Sequence, residues 1–454
     1  MNGVASLAFR IALAALVALP IGGCCYSSPS DVPSSQFIVQ TLNQLVDPHR
    51  AIVMVEFWNA ISATMDEAWD IIGQLRVDLK AEDRTDEGSR LRDSGNDKSF
   101  DVQEHLDQYL AGIEEEIQGR SSLQVLLHSE KLGISYEYPP GGKDVPFHIA
   151  SIGKVFTATL ICMLAERGAI SLDDPIAKYL PESSLESLFV FEGKDYAEQV
   201  TIRELLTHTS GVADYVEDPV TNGAPFMELV LNNPDTYWTP EMLLAFSRDN
   251  QHAVGRPGDL FHYSDTGYVL LGRIIENRTS KPFHVNLHDE FFTPLEMNDS
   301  YLMFRSEPAN QPKKPIQKTW LNDTEISQFT SLSSDWAGGG IVSTPADILK
   351  FHTALRDGQL ISPDLLGQME TATNQFMPGI NYGMGMMEID FQGLSPMLSG
   401  LPPVTGHIGI WGTHMFYDST TDTYIIINLG SASYMNTSFE VLIELMSTIR
   451  SVRN

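Results

Sequence analysis

Ser151-Ile152-Gly153-Lys154 decides the fold, together with the apolar run Val155-Phe-Thr-Ala-Thr-Leu-Ile-Cys-Met-Leu-Ala-Glu166 that follows it. A serine and a lysine three residues apart share one face of a helix, so the Lys154 amine can reach the Ser151 hydroxyl. The run after them is almost free of charge and stops at Gly168, a residue type suited to ending a helix. Burial in such a helix disfavours the ammonium form of a lysine. A neutral amine beside a serine hydroxyl is a nucleophile with its own base. The helix N-terminus adds partial positive charge where an oxyanion would form. Serine and lysine are common, and taken alone the same four residues also read as a helix cap and a surface charge.

Two further motifs weigh against that plain reading. Tyr263-Ser264-Asp265 opens the run Phe261 to Glu276, and His407-Ile408-Gly409 lies between Thr405 and Tyr417. Leu206-Thr-His-Thr-Ser-Gly211, Gly267-Tyr268, Leu271-Gly272 and Ala337-Gly-Gly-Gly-Ile-Val-Ser-Thr-Pro-Ala-Asp347 accompany them. In this order the motifs resemble the class C β-lactamase and penicillin-binding protein family of serine hydrolases, over roughly residues 101 to 454. The resemblance implies an α+β fold of the β-lactamase/transpeptidase type. Its antiparallel sheet is flanked by helices, with a second, mostly helical domain at about 171–350. It also implies acyl-enzyme chemistry on Ser151, with Lys154 and Tyr263 as proton carriers and no metal or cofactor. By family position the backbone N–H groups of Ser151 and Ile410 form the oxyanion hole, and Asp265, His407 and Gly409 meet the substrate.

Tyr263 can work as a base only if its phenol is made more acidic, and the cations of Lys154 and a protonated His407 are the expected means. Ser264-Asp265-Thr266 offers a second register, in place of a Ser-Asp-Asn motif; the flanking Gly-Tyr and Leu-Gly pairs favour the tyrosine register. Two positions depart from the family pattern. Many relatives carry asparagine where this chain has Asp265, and an ionised carboxylate cannot donate a hydrogen bond to a substrate amide. Efficient β-lactamases usually carry lysine where this chain has His407, and a neutral imidazole meets a carboxylate less strongly than an ammonium does.

The 454 residues are 43% hydrophobic and carry a formal net charge of −30. Such acidity argues against nucleic acid as a partner, because phosphate binding needs basic patches. Arg10 followed by the apolar run Ile11 to Ile21 reads as a signal peptide over 1–23. Ile21-Gly22-Gly23-Cys24 resembles a bacterial lipoprotein cleavage box, with Cys24 as the lipidated residue. Export to the periplasm or cell surface on a lipid anchor is the expectation, with an ordinary secretory signal as the alternative. Only Cys162 remains in the body, so no internal disulfide framework is expected.

Residues 24–100 read as a tether, a long amphipathic helix and a charged linker. Met54, Phe57, Trp58, Ile61, Met65, Trp69, Ile72, Leu75 and Leu79 mark the helix, and Lys80 to Ser99 the linker. Beyond them a helix with Val102, Leu106, Leu110 and Ile113 on one face leads to strands at 123–128 and 134–138. Near the end, 412–418 and 423–430 read as a hairpin before a helix carrying Leu442, Met446 and Ile449 inward. Thr201-x-x-Glu204, Thr239-Pro240 and Thr344-Pro345 read as capped helix starts. His208 reads as structural. His284 and His288, at i and i+4, lack an obvious third ligand and read as solvated helix residues.

The composite expectation is a serine hydrolase acting on a small-molecule or peptide substrate: an ester, a D-amino-acid peptide or a related amide. A true β-lactamase and a catalytically silent sensor on the same fold are the competing readings, with a metal-dependent hydrolase a distant third.

Overall fold

The structure, a computed structural model, describes residues 102–117, 119 and 122–453. The signal peptide, Cys24, the helix expected over 51–80 and the charged linker lie outside the described residues.

An eight-stranded sheet organises the chain. Its strands are β1 (Gln124–Ser129), β2 (Ile134–Tyr138), β3 (Asn374–Met377), β4 (Ile380–Tyr382), β5 (Met387–Ile389), β6 (Val404–Gly409), β7 (Thr413–Asp418) and β8 (Thr423–Asn428). They lie in the order β3-β4-β5-β6-β7-β8-β1-β2, and every neighbouring pair is antiparallel. The hairpin from the end of the chain therefore meets the hairpin from its beginning, with Val125 opposite Ile427.

All six residues of β8 are buried, because both faces of the sheet are covered. On one face Val125, Leu127, Ile425 and Ile427 join Leu106, Leu110 and Ile113 of helix α1 (Val102–Glu116). Val441, Leu442, Leu445, Met446 and Ile449 of the last helix, Met435–Arg453, complete that layer. The alternate residues Leu126, Met415 and Ile426 point the other way, into the core around helix α2 (Gly153–Glu166). The period of two sorts side chains between the layers.

Every residue of α2 from Gly153 to Leu164 is buried, as expected of a helix that is apolar all round. It ends as read from the sequence. Gly168 takes a φ of 69°, its N–H meets the carbonyl of Ala165, and the N–H of Ala169 meets that of Leu164. Those two bonds satisfy carbonyls that a helix end leaves open. Cys162 sits inside this helix, its thiol pushed up to about 12 by burial.

Between 171 and 350 the longer elements are helices, including α3 (Asp265–Thr279) and α4 (Pro345–Arg356). Thr201, Thr239 and Thr344 each cap a helix through the side-chain oxygen, and Thr201 with Glu204 forms a full capping box. A small three-stranded sheet places Phe147–His148 beside Ile341–Ser343, which pairs in turn with Tyr301–Leu302. That pairing sets the residues before Ser151 next to the glycines that precede Ile341.

Candidate active site

Ser151 lies in a 3-10 turn, Ala150–Ile152, and α2 begins at Gly153. The helix thus starts two residues later than the sequence reading, and Ser151 stands in the turn before it. Ala150 carries a φ of 50°, uncommon for a residue with a side chain. The turn is gripped by glycines. A Cβ on Gly339 would lie 2.8 Å from the Ala150 carbonyl carbon, and one on Gly409 would lie 2.8 Å from the Ala150 Cβ. The hydroxyl of Thr413 donates to the carbonyl of Ile149 at 3.0 Å. The end of β6, with Gly409 and then Ile410, is thereby held against the segment leading into Ser151. Ile410 itself is exposed.

Lys154 is fully buried, and its Nζ stands 3.1 Å from Ser151 Oγ. It also forms an ion pair with Asp265 and donates to the Gly338 carbonyl at 3.2 Å. The carboxylate gives the buried amine an anionic partner. Gly338 is required for the pair to fit, since a Cβ there would stand 2.5 Å from Asp265 Oδ1. Ser264 caps α3, its Oγ accepting from the Gly267 N–H and donating to the Ala213 carbonyl. The Asp265 N–H donates to Asp214 Oδ1 at 2.9 Å. Asp214 is buried, and burial with the nearby Asp265 carboxylate drives its carboxyl well above the usual range. Burial and the same carboxylate push Asp335 up to about 7. Asp265 thus has Lys154 as its ion-pair partner and two further carboxyl groups in its field.

Tyr263 closes the other side of Ser151. Lys154 Nζ lies 4.8 Å from the centre of its ring. The expected acidification of its phenol is overturned: burial first, then the Asp265 carboxylate, raise it well above the ordinary tyrosine value, and a hydrogen bond with Ser151 opposes them only in part. The resting group is therefore a phenol.

The expectation for His407 is overturned as well. Its ring is fully buried and burial holds it at about 3, so it is neutral and lends Tyr263 no positive charge. One ring nitrogen stands 3.2 Å from the Tyr382 hydroxyl and the other lies against the carbonyl of Ile408. Neither is left to meet a substrate carboxylate. Gly409 serves first as the point where strand and turn backbones touch.

His208 occupies the ring layer behind Tyr263, with centroids 4.2 Å apart and planes tilted by 31°. Its Nδ1 accepts the Ser264 N–H at 3.0 Å, and its Nε2 stands 3.1 Å from the Tyr382 hydroxyl. Tyr382 and Asp214 carry no motif and were missed by sequence reading. So was Phe376, whose half-buried ring packs edge-on to Tyr263 at 5.6 Å. Phe376 is the extra residue of a bulge between Gln375 and Met377 on the edge strand β3. A bulge turns one side chain out of the regular alternation, which hides it from a period-two reading.

The arrangement can activate a hydroxyl and pass protons on both sides of it. A family model described as "Beta-lactamase" matches residues 136–442. The chain is 24% identical to the "Putative penicillin-binding protein PbpX" of Bacillus subtilis (strain 168), over 74% of this chain and 78% of that one. It is 30% identical to "Penicillin-binding protein 4" of Amycolatopsis lactamdurans over 49% of this chain, spanning about half, 53%, of that relative. Among solved structures, the D-amino acid amidase from Ochrobactrum anthropi SV3 superposes with a TM-score of 0.60 at 26% identity, covering 76% of this chain and 99% of that one. With motif order, sheet and site geometry in agreement, the chain belongs to the β-lactamase family and is a serine hydrolase on that fold.

Proposed function

We propose that the protein cleaves esters, or amides of D-amino acids, through an acyl-enzyme on Ser151, with Lys154 and Tyr263 moving the protons. The observation that carries this reading is the single amine of Lys154, set on Ser151 Oγ while it is paired with Asp265. Lys154 passes one proton to Asp265, and the freed amine takes the Ser151 proton as Oγ attacks the carbonyl carbon. The N–H groups of Ser151 and Ile410 are the proposed partners of the resulting oxyanion. As the intermediate collapses, the Tyr263 phenol gives its proton to the departing alcohol or amine. Lys154 restores the phenol, and Asp265 returns the borrowed proton to Lys154. The Ser151 proton has then moved to the leaving group, and water repeats the sequence to free the acid.

The substrate class follows from what the site lacks. The resting, ionised Asp265 carboxylate cannot donate a hydrogen bond to the acylamino group of a penicillin, and both ring nitrogens of His407 have partners within the protein. Both features weigh against penicillins. Similarity to a D-amino acid amidase supports the amide branch. Intact-mass analysis after exposure to p-nitrophenyl butyrate, a D-amino-acid amide and a penicillin tests the proposal. An acyl adduct on wild type with either of the first two, absent from Ser151→Ala, is expected. Adduct formation on Ser151→Ala, or faster turnover of penicillin than of butyrate, would reverse it.

We further propose that the protein is exported and held on a bacterial membrane by lipid on Cys24. No described helix is long and apolar enough to cross a membrane. Multiple acyl chains hold a protein at a bilayer where one alone is marginal. Cys24→Ala should leave the membrane fraction or stay unprocessed; a wild-type protein that is wholly soluble with an unmodified N-terminus would show Cys24 to be incidental.

A further inference from the structure

Behind Tyr263 three buried side chains, His208, Tyr382 and His407, form a hydrogen-bond chain whose direction is fixed at both ends. The Ser264 N–H can only donate, so His208 Nδ1 accepts and its proton sits on Nε2. That nitrogen donates to the Tyr382 oxygen at 3.1 Å. At the far end His407 Nδ1 lies against the Ile408 carbonyl, which can only accept, so this nitrogen carries the proton and His407 Nε2 is an acceptor. The Tyr382 hydroxyl therefore spends its own proton on His407 at 3.2 Å. Its neighbour Tyr268, 3.5 Å away, donates instead to the Leu206 carbonyl. His208, Tyr268, Tyr382 and His407 are almost wholly excluded from solvent, so each bond has no water to replace it.

The two ends of this chain lie on the two segments that flank Ser151. Ser264 follows Tyr263 directly, and the His208 ring lies across the ring of Tyr263. Ile408 immediately precedes Gly409 and Ile410. We propose that Tyr382 is a positioning residue: its hydroxyl, accepting from His208 and donating to His407, sets the Tyr263 ring and the Gly409–Ile410 backbone in register across Ser151. The inference rests on the roles given above to Ser151 and Tyr263. Only a group that accepts and donates at once can occupy this point. Removing the hydroxyl leaves a buried N–H and a buried lone pair facing each other without a link.

The test uses the full chain, butyrate ester hydrolysis, and the acylation rate with a fluorophosphonate. Tyr382→Phe and His208→Leu should each lower kcat about 10- to 100-fold with KM nearly unchanged, the range expected when a catalytic group is misplaced by an ångström or less. The double variant should be little worse than either single, because both changes break one chain. His208→Gln supplies an amide oxygen to accept from Ser264 and an N–H to donate to Tyr382, and should recover most of the loss. Wild-type kcat in Tyr382→Phe, a loss confined to KM, multiplicative losses in the double variant, or failure of glutamine to outperform leucine at 208 would each overturn the proposal. Should Tyr382→Phe not fold, the glutamine and leucine variants at 208 decide the question by themselves. An adduct retained by Ser151→Ala would instead remove the underlying assignment, so the two failures are told apart.

Discussion

The two flanks of Ser151 solve the same problem with opposite chemistry. On one side Lys154 is tied to Asp265 by charge, with Asp214 and Asp335 pressed close behind. On the other, Tyr263 rests on neutral rings joined by ordinary hydrogen bonds, and the two histidines there are kept uncharged by burial. In the proposed reaction the charged flank lends and recovers a proton. The neutral flank has no spare charge, and holds position. A site that must move protons while keeping its geometry benefits from separating the two tasks.

The most direct way to break this division is Lys154→Met, which keeps the length of the side chain and removes the amine. Ester turnover should fall about 10³-fold, within the range that proton-transfer groups contribute. The abandoned Asp265 carboxylate should cost about 3–5 kcal/mol of stability. Adding Asp265→Leu should restore stability but not turnover. Denaturation curves and kcat for both variants decide whether the pair serves chemistry or the fold.

A smaller effect is expected from Gly338→Ala, since the new methyl would meet Asp265 Oδ1. The ion pair must open, and kcat should drop by about 10²-fold with modest loss of stability. Unchanged kcat would show that the charged flank has slack that the structure does not display.

Stability against pH should separate the flanks with the smallest signal. His407 binds its proton less well folded than unfolded, so its contribution is present above about pH 6.5 and is lost as pH falls towards 3. Asp335 behaves the other way. Its folded value of about 7 lies above the unfolded one, so its contribution is present at low pH and is lost as pH rises from about 4 through 7. His407→Gln should therefore flatten the acid side of the stability profile, and Asp335→Asn should raise Tm more at pH 8 than at pH 5. Parallel profiles for wild type and both variants would erase the proposed difference between the flanks.

Sequence reading recovered the parts of the site that local rules govern. Lys154 reaches Ser151 because residues three apart on one turn face the same way, and Gly168 ends α2 because a positive φ is needed there. The first and last hairpins of the sheet and its two terminal helices followed from periodicities of two and of 3.6, whereas the short strands β3, β4 and β5 were not read. What was lost depended on partners far away in the chain. The sign of the Tyr263 shift is set first by burial, then by Asp265 two residues on, with a smaller push from Asp214, which a loop delivers from about 50 residues upstream. Tyr382 sits on a three-residue strand and meets His208 across 174 positions. No local pattern marks such a residue. By family position His407 was expected to meet the substrate, but the buried ring layer claims the side chain.

The place of β1 in the sheet has a consequence for how the chain reaches this state. β1 and β2 can form a hairpin as soon as both are made, but β1 bonds on its other side to β8, so Leu127 waits for Ile425. Nearly three hundred residues separate these partners, and helices α2, α3 and α4 can settle in the interval. Long-range pairing of this kind slows folding and leaves a strand edge open to mispairing until it closes. The interrupted sheet makes completion of the catalytic domain contingent on the last sixth of the polypeptide. A ribosome-stalled or C-terminally shortened chain should display a helical body with an unfinished sheet, and interaction with chaperones should cease only once β8 is released.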